Sequence, residues 1–301
     1  MGSWLTYGLG SENENLPGYV VMCPGIPVVG PQLWSSAFLP STHQGSYIPN
    51  NERETEKLIP WIRGQRPREA QRGQLELLAK LNRLNAADPN LESSIKNMET
   101  AFRMQTEAPE VFDVSKETQK TRDRYGDTDF GRGCLMGRRL LEKGVRMVQI
   151  YHGDGQPWDS HDDIQRHRVL ANVADKAIRA LVDDLKSTGM LNDTLVLIGG
   201  EFGRTPTVEV SGLVYVQNGR DHNSHGFTML LGGGGVKGGT VYGATDDFGF
   251  KAVDKPVHPH DLHATMLHLL GLDHTRLTYR SSGRDFRLTD VEGTVVREIM
   301  A

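Results

Sequence analysis

The sequence predicts an α/β fold in which helices cover both faces of a mainly parallel sheet. Three short apolar runs have the length and composition of buried strands, and a long amphipathic helix separates two of them. A helix between two strands is the usual crossover that joins parallel neighbours, and parallel sheets are buried on both faces. We therefore expect one large domain over 1–301, because 301 residues can bury a substantial core.

The first half of the chain predicts one strand and two helices. Residues 1–50 are rich in Gly, Pro, Ser and Asn around one apolar run, 19–22, which predicts a strand within long loops. Leucines at three- and four-residue spacings then predict two helices over about 67–104, broken near Pro89. Their remaining positions carry Arg, Glu, Lys and Gln, so we assign this helical insertion, about 66–107, to packing rather than to chemistry.

The second half alternates helices and strands, in the order typical of βαβ units. The predicted helices end at glycines, as Gly144 and Gly189 show. In chain order the elements are a helix over 134–143, a strand over 145–151, a helix over about 164–187, strands over 194–198 and 227–231, and a helix over about 260–270.

Composition excludes several classes of function. The net charge of -4 gives no electrostatic reason to expect a nucleic-acid partner, and no run approaches the ~20 apolar residues that a membrane span needs. The first 22 residues do not have the basic and apolar regions of a signal peptide. Two cysteines, Cys23 and Cys134, are too few for a disulfide framework, so we expect small buried residues.

Polar residues cluster where the predicted strands end. Asp159 and His161 follow the strand 145–151, and Glu201 and Arg204 follow the strand 194–198. The stretch GRDHNSH, which contains Asp221 and His222, leads into the strand 227–231. Loops beyond the carboxyl ends of the strands converge on one crevice in open α/β sheets. We expect these side chains to meet there.

Carboxylates and imidazoles without thiolates form a ligand set for a divalent cation such as Zn²⁺, Mn²⁺, Ca²⁺ or Mg²⁺. A metal held in this way acidifies a bound water or polarises a phosphoryl or sulfuryl oxygen. Arg204 would neutralise an anionic substrate by bidentate contact, and Asp221 is the second candidate catalytic residue. The pattern predicts hydrolysis of a phosphate or sulfate ester.

Each candidate also has a structural alternative. Asp159 or Ser160 could cap the long helix instead of binding metal. Glu201 could be a surface carboxylate, although its position between a buried strand and glycines favours a ligand or a base. Asp221 and His222 could be an ordinary loop pair, and His222 ranks slightly above His225 as a ligand.

Two further patterns favour packing over chemistry. The glycines of 232–235 are not followed by Lys and Ser or Thr, so they predict a tight loop rather than a phosphate-binding loop. Four histidines, His258, His260, His263 and His268, are interpreted as helix-start and packing residues, of which one could reach the site.

Six stretches together resemble a bacterial sulfatase-like family catalogued as domain of unknown function 1501. They are GSWLTYGLGSENENLP, WDSH, GGEFGRTP, GRDH, HPHDLHATMLHLLGLDH and GRDFRLTD, in this order over almost the whole chain. The family is similar to the alkaline phosphatase superfamily, which implies a paired-metal site at the strand ends. Members normally have well over a hundred further residues before GSWLTYGLG, including a secretion signal. The resemblance thus implies that 1–301 is a single alkaline-phosphatase-like domain that is N-terminally incomplete. It would be the C-terminal two thirds of a domain from a periplasmic or secreted protein.

The resemblance also implies roles for single residues. Asp159 and His161 match the first metal-ligand loop, Glu201 stands where relatives carry Asp, and His222 supplies the late histidine. Phe202 departs from the pattern, because relatives commonly have His there and a phenylalanine cannot bind metal.

Three functions follow as alternatives. The first is a metal-dependent hydrolase of phosphate or sulfate esters, including sulfated carbohydrate. The second is a non-catalytic module that retains one metal or an anion site and binds a polyanionic glycan or surface component. The third is a structural protein of the cell surface that needs no divalent metal. Neither the metal nor the oligomeric state follows from the sequence.

Overall fold

The computed structural model describes residues 1–60, 62–84, 88–210 and 218–301, and in this part of the chain the fold is mixed α/β. The chain divides into two compact units: unit 1 comprises Met1–Gln156 with Val173–Leu181, and unit 2 comprises Pro157–Asn172 with Val182–Ala301.

The α-helices are α1 (Gly2–Leu9), α2 (Thr55–Leu58), α3 (Arg68–Leu84), α4 (Pro89–Phe112), α5 (Gln119–Tyr125), α6 (Asp129–Glu142), α7 (Arg166–Ser187) and α8 (Pro259–Leu269). The strands are β1 (Tyr19–Met22), β2 (Ser46–Ile48), β3 (Met147–Ile150), β4 (Val196–Ile198), β5 (Gly203–Arg204), β6 (His222–Asn223), β7 (Leu230–Gly232), β8 (Ala244–Thr245), β9 (Ala252–Asp254), β10 (Tyr279–Ser281) and β11 (Arg284–Phe286).

Unit 1 contains a parallel three-stranded sheet in the order β2-β1-β3. Strand β1 pairs with β2 from Val20 opposite Ser46, and with β3 from Tyr19 opposite Met147. Every residue of β1 is buried, as expected for the central strand of a parallel sheet covered on both faces. The strands predicted at 19–22 and 145–151 are observed as β1 and β3, and they pair parallel to each other.

Polar side chains cap the starts of helices α4 and α6 in unit 1. The Asp88 side chain accepts a hydrogen bond from the Asn90 backbone N–H at the start of α4, which explains the predicted break between two helices. Thr128 caps α6 in the same way, so this helix begins at Asp129, five residues before the predicted start. Helix α6 packs closely on β3, since a Cβ at Gly137 would lie 3.0 Å from Ile150 Cδ1.

Both cysteines of the chain are free thiols buried within unit 1. Cys23 follows β1, and Cys134 lies in a cluster with Tyr125, Leu135 and Ala177. Burial raises the pKa of Cys134 to about 12 and also raises the pKa of Cys23. The prediction that both are small buried residues is confirmed.

Strands β4 to β11 pair antiparallel, which corrects the prediction of a mainly parallel sheet. The strand predicted at 227–231 is observed as β7, and it pairs antiparallel with β4, with Leu197 opposite Leu231. A parallel pair needs a crossover, usually a helix. The described residues between β4 and β7 contain short strands and turns instead, so the chain returns to β4 in the opposite direction.

The two long helices of the second half are observed close to their predicted positions, with α7 predicted at about 164–187 and α8 at about 260–270. Among the described residues, no helix combines the length and the apolar composition needed to cross a bilayer.

Candidate metal centre

The β5–β6 pair of unit 2 places two candidate residues side by side. Its register sets Arg204 opposite His222 and Gly203 opposite Asn223. A Cβ at position 203 would lie 2.2 Å from the Gly226 backbone oxygen, so only glycine fits there. The buried Asn223 amide donates to the Phe250 backbone oxygen at 3.0 Å, which anchors β6 from the other side.

The loop that carries Asp159 and His161 packs backbone to backbone on the GRDH loop. The Arg220 backbone N–H donates to the Ser160 oxygen at 3.2 Å, and the Asn218 N–H donates to the Asp162 oxygen at 3.2 Å. A Cβ at Gly219 would lie 1.6 Å from the His161 backbone oxygen. The approach of these two loops therefore depends on a glycine at 219.

The alternative role of Asp159 or Ser160 as a helix cap is wrong. Helix α7 begins at Arg166 and its N-cap residue is Gln165, so Asp159 lies six positions before the cap. The Asp159 side chain is instead directed to other polar side chains.

Three candidate ligands converge on one another. Asp159 Oδ1 lies 2.9 Å from His161 Nε2 and 3.0 Å from His222 Nε2, and the two imidazole nitrogens are 3.2 Å apart. Donors that share one tetrahedral metal, each bound at about 2.0–2.1 Å, are about 3.3 Å apart. The donor set thus fits a single divalent cation.

Glu209, which the sequence did not single out, holds one of these rings. Its Oε2 lies 2.6 Å from His161 Nδ1, on the nitrogen that does not face Asp159. Its backbone N–H donates to the Gly219 oxygen at 3.0 Å, so the GRDH loop positions it. The hydrogen bond with Glu209 raises the pKa of His161. A histidine that binds metal commonly donates its other N–H to a carboxylate, as here.

Arg204 bridges the two carboxylates of the site. Its Nη1 donates to Asp159 Oδ1 at 2.6 Å, and its Nη2 lies 3.6 Å from Glu201 Oε1. The guanidinium side chain is only 14% exposed. Burial alone would raise the pKa of Asp159, but the hydrogen bonds with His222 and Arg204 outweigh burial and hold the pKa below its ordinary value.

The remaining predicted site residues lie around this group rather than in it. Glu201 is 58% exposed, faces Arg204 and, among the described residues, is outside the groups whose ligand atoms lie within 4.8 Å of one another. Asp221 Oδ1 accepts the His222 backbone N–H at 2.7 Å, and Asp221 forms a second such group with His161 and Glu209. The Phe202 ring packs against the His222 ring, with centroids 4.6 Å apart.

The structure therefore brings together Asp159, His161, His222 and Arg204, with Asp221 at the edge. His225, the weaker candidate, is fixed through its backbone, since its N–H donates to Asn223 Oδ1 at 3.1 Å. Chemically, this group can bind a cation through one carboxylate and two imidazoles and can present a guanidinium beside it.

The profile of a family described as "Protein of unknown function (DUF1501)" matches residues 1–300. No curated protein matches the chain, and no solved structure does.

Proposed function

This chain belongs to the DUF1501 family, and from this premise we propose that the chain is a divalent-metal-dependent hydrolase of phosphate or sulfate esters. The observation that carries the proposal is the convergence of Asp159 Oδ1, His161 Nε2 and His222 Nε2 within 3.2 Å. We extend the proposal to an alkaline-phosphatase-like fold and a periplasmic or secreted location. The parallel β2-β1-β3 sheet and the order of the motifs along the chain support that fold.

A bound divalent metal would polarise an ester oxygen and lower the pKa of a coordinated water. Two imidazoles favour Zn²⁺, and after it Mn²⁺, over Ca²⁺, which prefers a shell of six to eight oxygens. Asp159, His161 and His222 would hold the cation. Glu209 would keep the His161 proton on Nδ1, which leaves Nε2 free as a ligand.

The guanidinium of Arg204 would bind the anionic ester. Asp159 fixes Nη1, so Nη2 is the nitrogen that can turn from Glu201 to a substrate oxygen. A planar guanidinium suits phosphate and sulfate, whose oxygens accept parallel hydrogen bonds. Asp221, exposed at the edge of the site, would take up or release a proton during hydrolysis. Sulfated carbohydrate is one ester that the metal and Arg204 together would bind.

The proposal is tested by metal-dependent turnover. The chain is stripped of metal with a chelator and assayed on an aryl phosphate, an aryl sulfate and a sulfated sugar, with Zn²⁺, Mn²⁺ or Ca²⁺ added separately. We expect Zn²⁺ or Mn²⁺ to restore turnover on one ester class and the Asp159→Asn chain to remain inactive. Turnover that is the same without metal, or in Asp159→Asn, would refute the metal centre as the catalytic site.

A second candidate is a non-catalytic module that binds a polyanionic glycan or surface component. The packing of Phe202 on His222 favours it, because a phenylalanine ring beside the centre cannot bind a second metal ion. Metal-dependent binding of a sulfated glycan without hydrolysis of any of the three esters would support this candidate over the hydrolase.

A further inference from the structure

We propose that His258, His260 and Glu292 form a second divalent-metal site, at the start of α8. None of its residues belongs to the candidate metal centre, so the inference does not rest on the proposed hydrolase. Glu292 Oε2 lies 3.4 Å from His260 Nδ1 and 3.7 Å from His258 Nδ1. The ligand atoms of the three side chains lie within 4.8 Å of one another.

One nitrogen of this group is buried without a hydrogen bond. His260 Nδ1 is inaccessible to solvent and has no hydrogen-bond partner among the described residues. Buried polar atoms nearly always have a partner, because desolvation without a hydrogen bond is costly. Glu292 Oε2 is near this nitrogen but too distant for a hydrogen bond of normal length. A cation between them would satisfy both atoms.

The segment that carries Glu292 is fixed onto α8 by bonds that do not involve the proposed ligands. The Thr294 N–H donates to Asp261 Oδ1 at 2.6 Å, and the Val296 N–H donates to Thr265 Oγ1 at 2.9 Å. Gly293 passes so close to the helix that a Cβ there would lie 3.1 Å from the His260 backbone oxygen. The backbone at Glu292 is therefore held beside the start of α8 by the fold.

Two imidazoles and one carboxylate suit Zn²⁺, with room for water as a further ligand. The positive end of the helix dipole opposes a cation here, but the carboxylates of Glu292 and Asp261 offset it. His258 Nδ1 also accepts the His260 backbone N–H at 3.2 Å, a bond that zinc would displace. The other half of the cap, from the His258 N–H to Asp261 Oδ2 at 3.0 Å, would remain.

The other two histidines of α8 have different surroundings. His263 Nδ1 is also buried without a hydrogen-bond partner among the described residues, but there His263 belongs to none of the groups of converging ligand atoms. Burial lowers its pKa to about 4, as expected for a packed neutral ring. His268 Nε2 lies 3.5 Å from Arg297 Nη1, a cationic neighbour that disfavours a metal. His268 is therefore the matched control.

The test is equilibrium dialysis of the metal-stripped 301-residue chain against Zn²⁺. We expect two zinc ions per wild-type chain, one in His222→Ala, one in Glu292→Gln or His260→Ala, and two in the His268→Ala control. Loss of a ligand should weaken the affected site at least about tenfold, the smallest effect usual for altered partners of a metal ligand. Glu292 is exposed and outside the helix cap, so Glu292→Gln leaves the fold intact, which circular dichroism verifies.

The outcomes separate the two sites. If Glu292→Gln and His260→Ala both bind as much zinc as the wild type, the second site does not exist. If His222→Ala binds none, all zinc belongs to the first centre and the inference fails. A single zinc that is lost in Glu292→Gln but retained in His222→Ala supports the second site and refutes the first.

Discussion

Glu209 Oε2 lies 2.6 Å from Nδ1 of His161, while Nε2 of the same ring faces Asp159 and His222. The carboxylate thus determines which nitrogen carries the proton and in which direction the lone pair points. Four predictions follow from this contact and its neighbours.

Replacement of Glu209 with Gln should weaken zinc binding at the candidate metal centre about 10–100-fold, because the amide no longer stabilises the ligand tautomer of His161. Competitive titration with a chromophoric chelator measures the dissociation constant. Asp162→Asn is the control, since Asp162 is an exposed carboxylate beside His161 that pairs only loosely with Arg166, at 3.9 Å. Equal affinity in the Glu209→Gln and Asp162→Asn chains would argue against the orienting role.

The metal-free chain should show a His161 pKa above the ordinary 6.5, and Glu209→Gln should lower it. A pKa raised in the folded state means that the contact contributes its full stability below the unfolded pKa near 6.5. This contribution is lost as pH rises through the folded pKa. The stability difference between wild type and Glu209→Gln should therefore shrink with rising pH. NMR titration and urea unfolding measure the two quantities, and a His161 pKa at or below 6.5 would contradict the prediction.

Arg204→Lys should raise the dissociation constant of sulfate or phosphate at least about fivefold, roughly 1 kcal/mol, since a lysine cannot keep one donor on Asp159 and present another to the anion in a fixed plane. Isothermal titration of the zinc-loaded chain measures it. Arg166→Lys, an exposed arginine of the same unit, is the control. The Glu201→Gln chain should bind the anion more tightly than wild type, because it no longer competes for Arg204 Nη2. Unchanged affinity in Arg204→Lys would remove the anion-binding role.

Gly219→Ala should lower the free energy of unfolding by about 1–3 kcal/mol and weaken zinc binding, because its Cβ would meet the His161 backbone oxygen. Gly200→Ala is the matched control, since a Cβ there meets nothing within 4 Å. Urea unfolding and zinc titration of both chains measure the effects. Similar values for the two variants would show that the loops can separate without loss of the site.

The sequence predicted the convergence of three side chains, Asp159, His161 and His222, better than it predicted the sheet around them. The position of Asp159 and His161 after one strand and of His222 before another was sufficient to expect that they meet. Glu209 was missed because its contact depends on the path of a long loop, which leaves no spacing pattern. The direction of β7 was missed because an apolar run indicates burial and not strand direction.

Both cysteines lie in unit 1, so the rate of thiol labelling can report on the opening of that unit alone. A thiol must be ionised and accessible to react, and Cys23 and Cys134 are buried with raised pKa values. A disulfide reagent can modify them only when unit 1 opens, so the labelling rate measures that opening. Unit 2 contains no cysteine in its sequence, so this assay does not report on its opening. Mass spectrometry of the labelled chain would therefore measure the rate at which unit 1 opens, while zinc binding to unit 2 is followed separately.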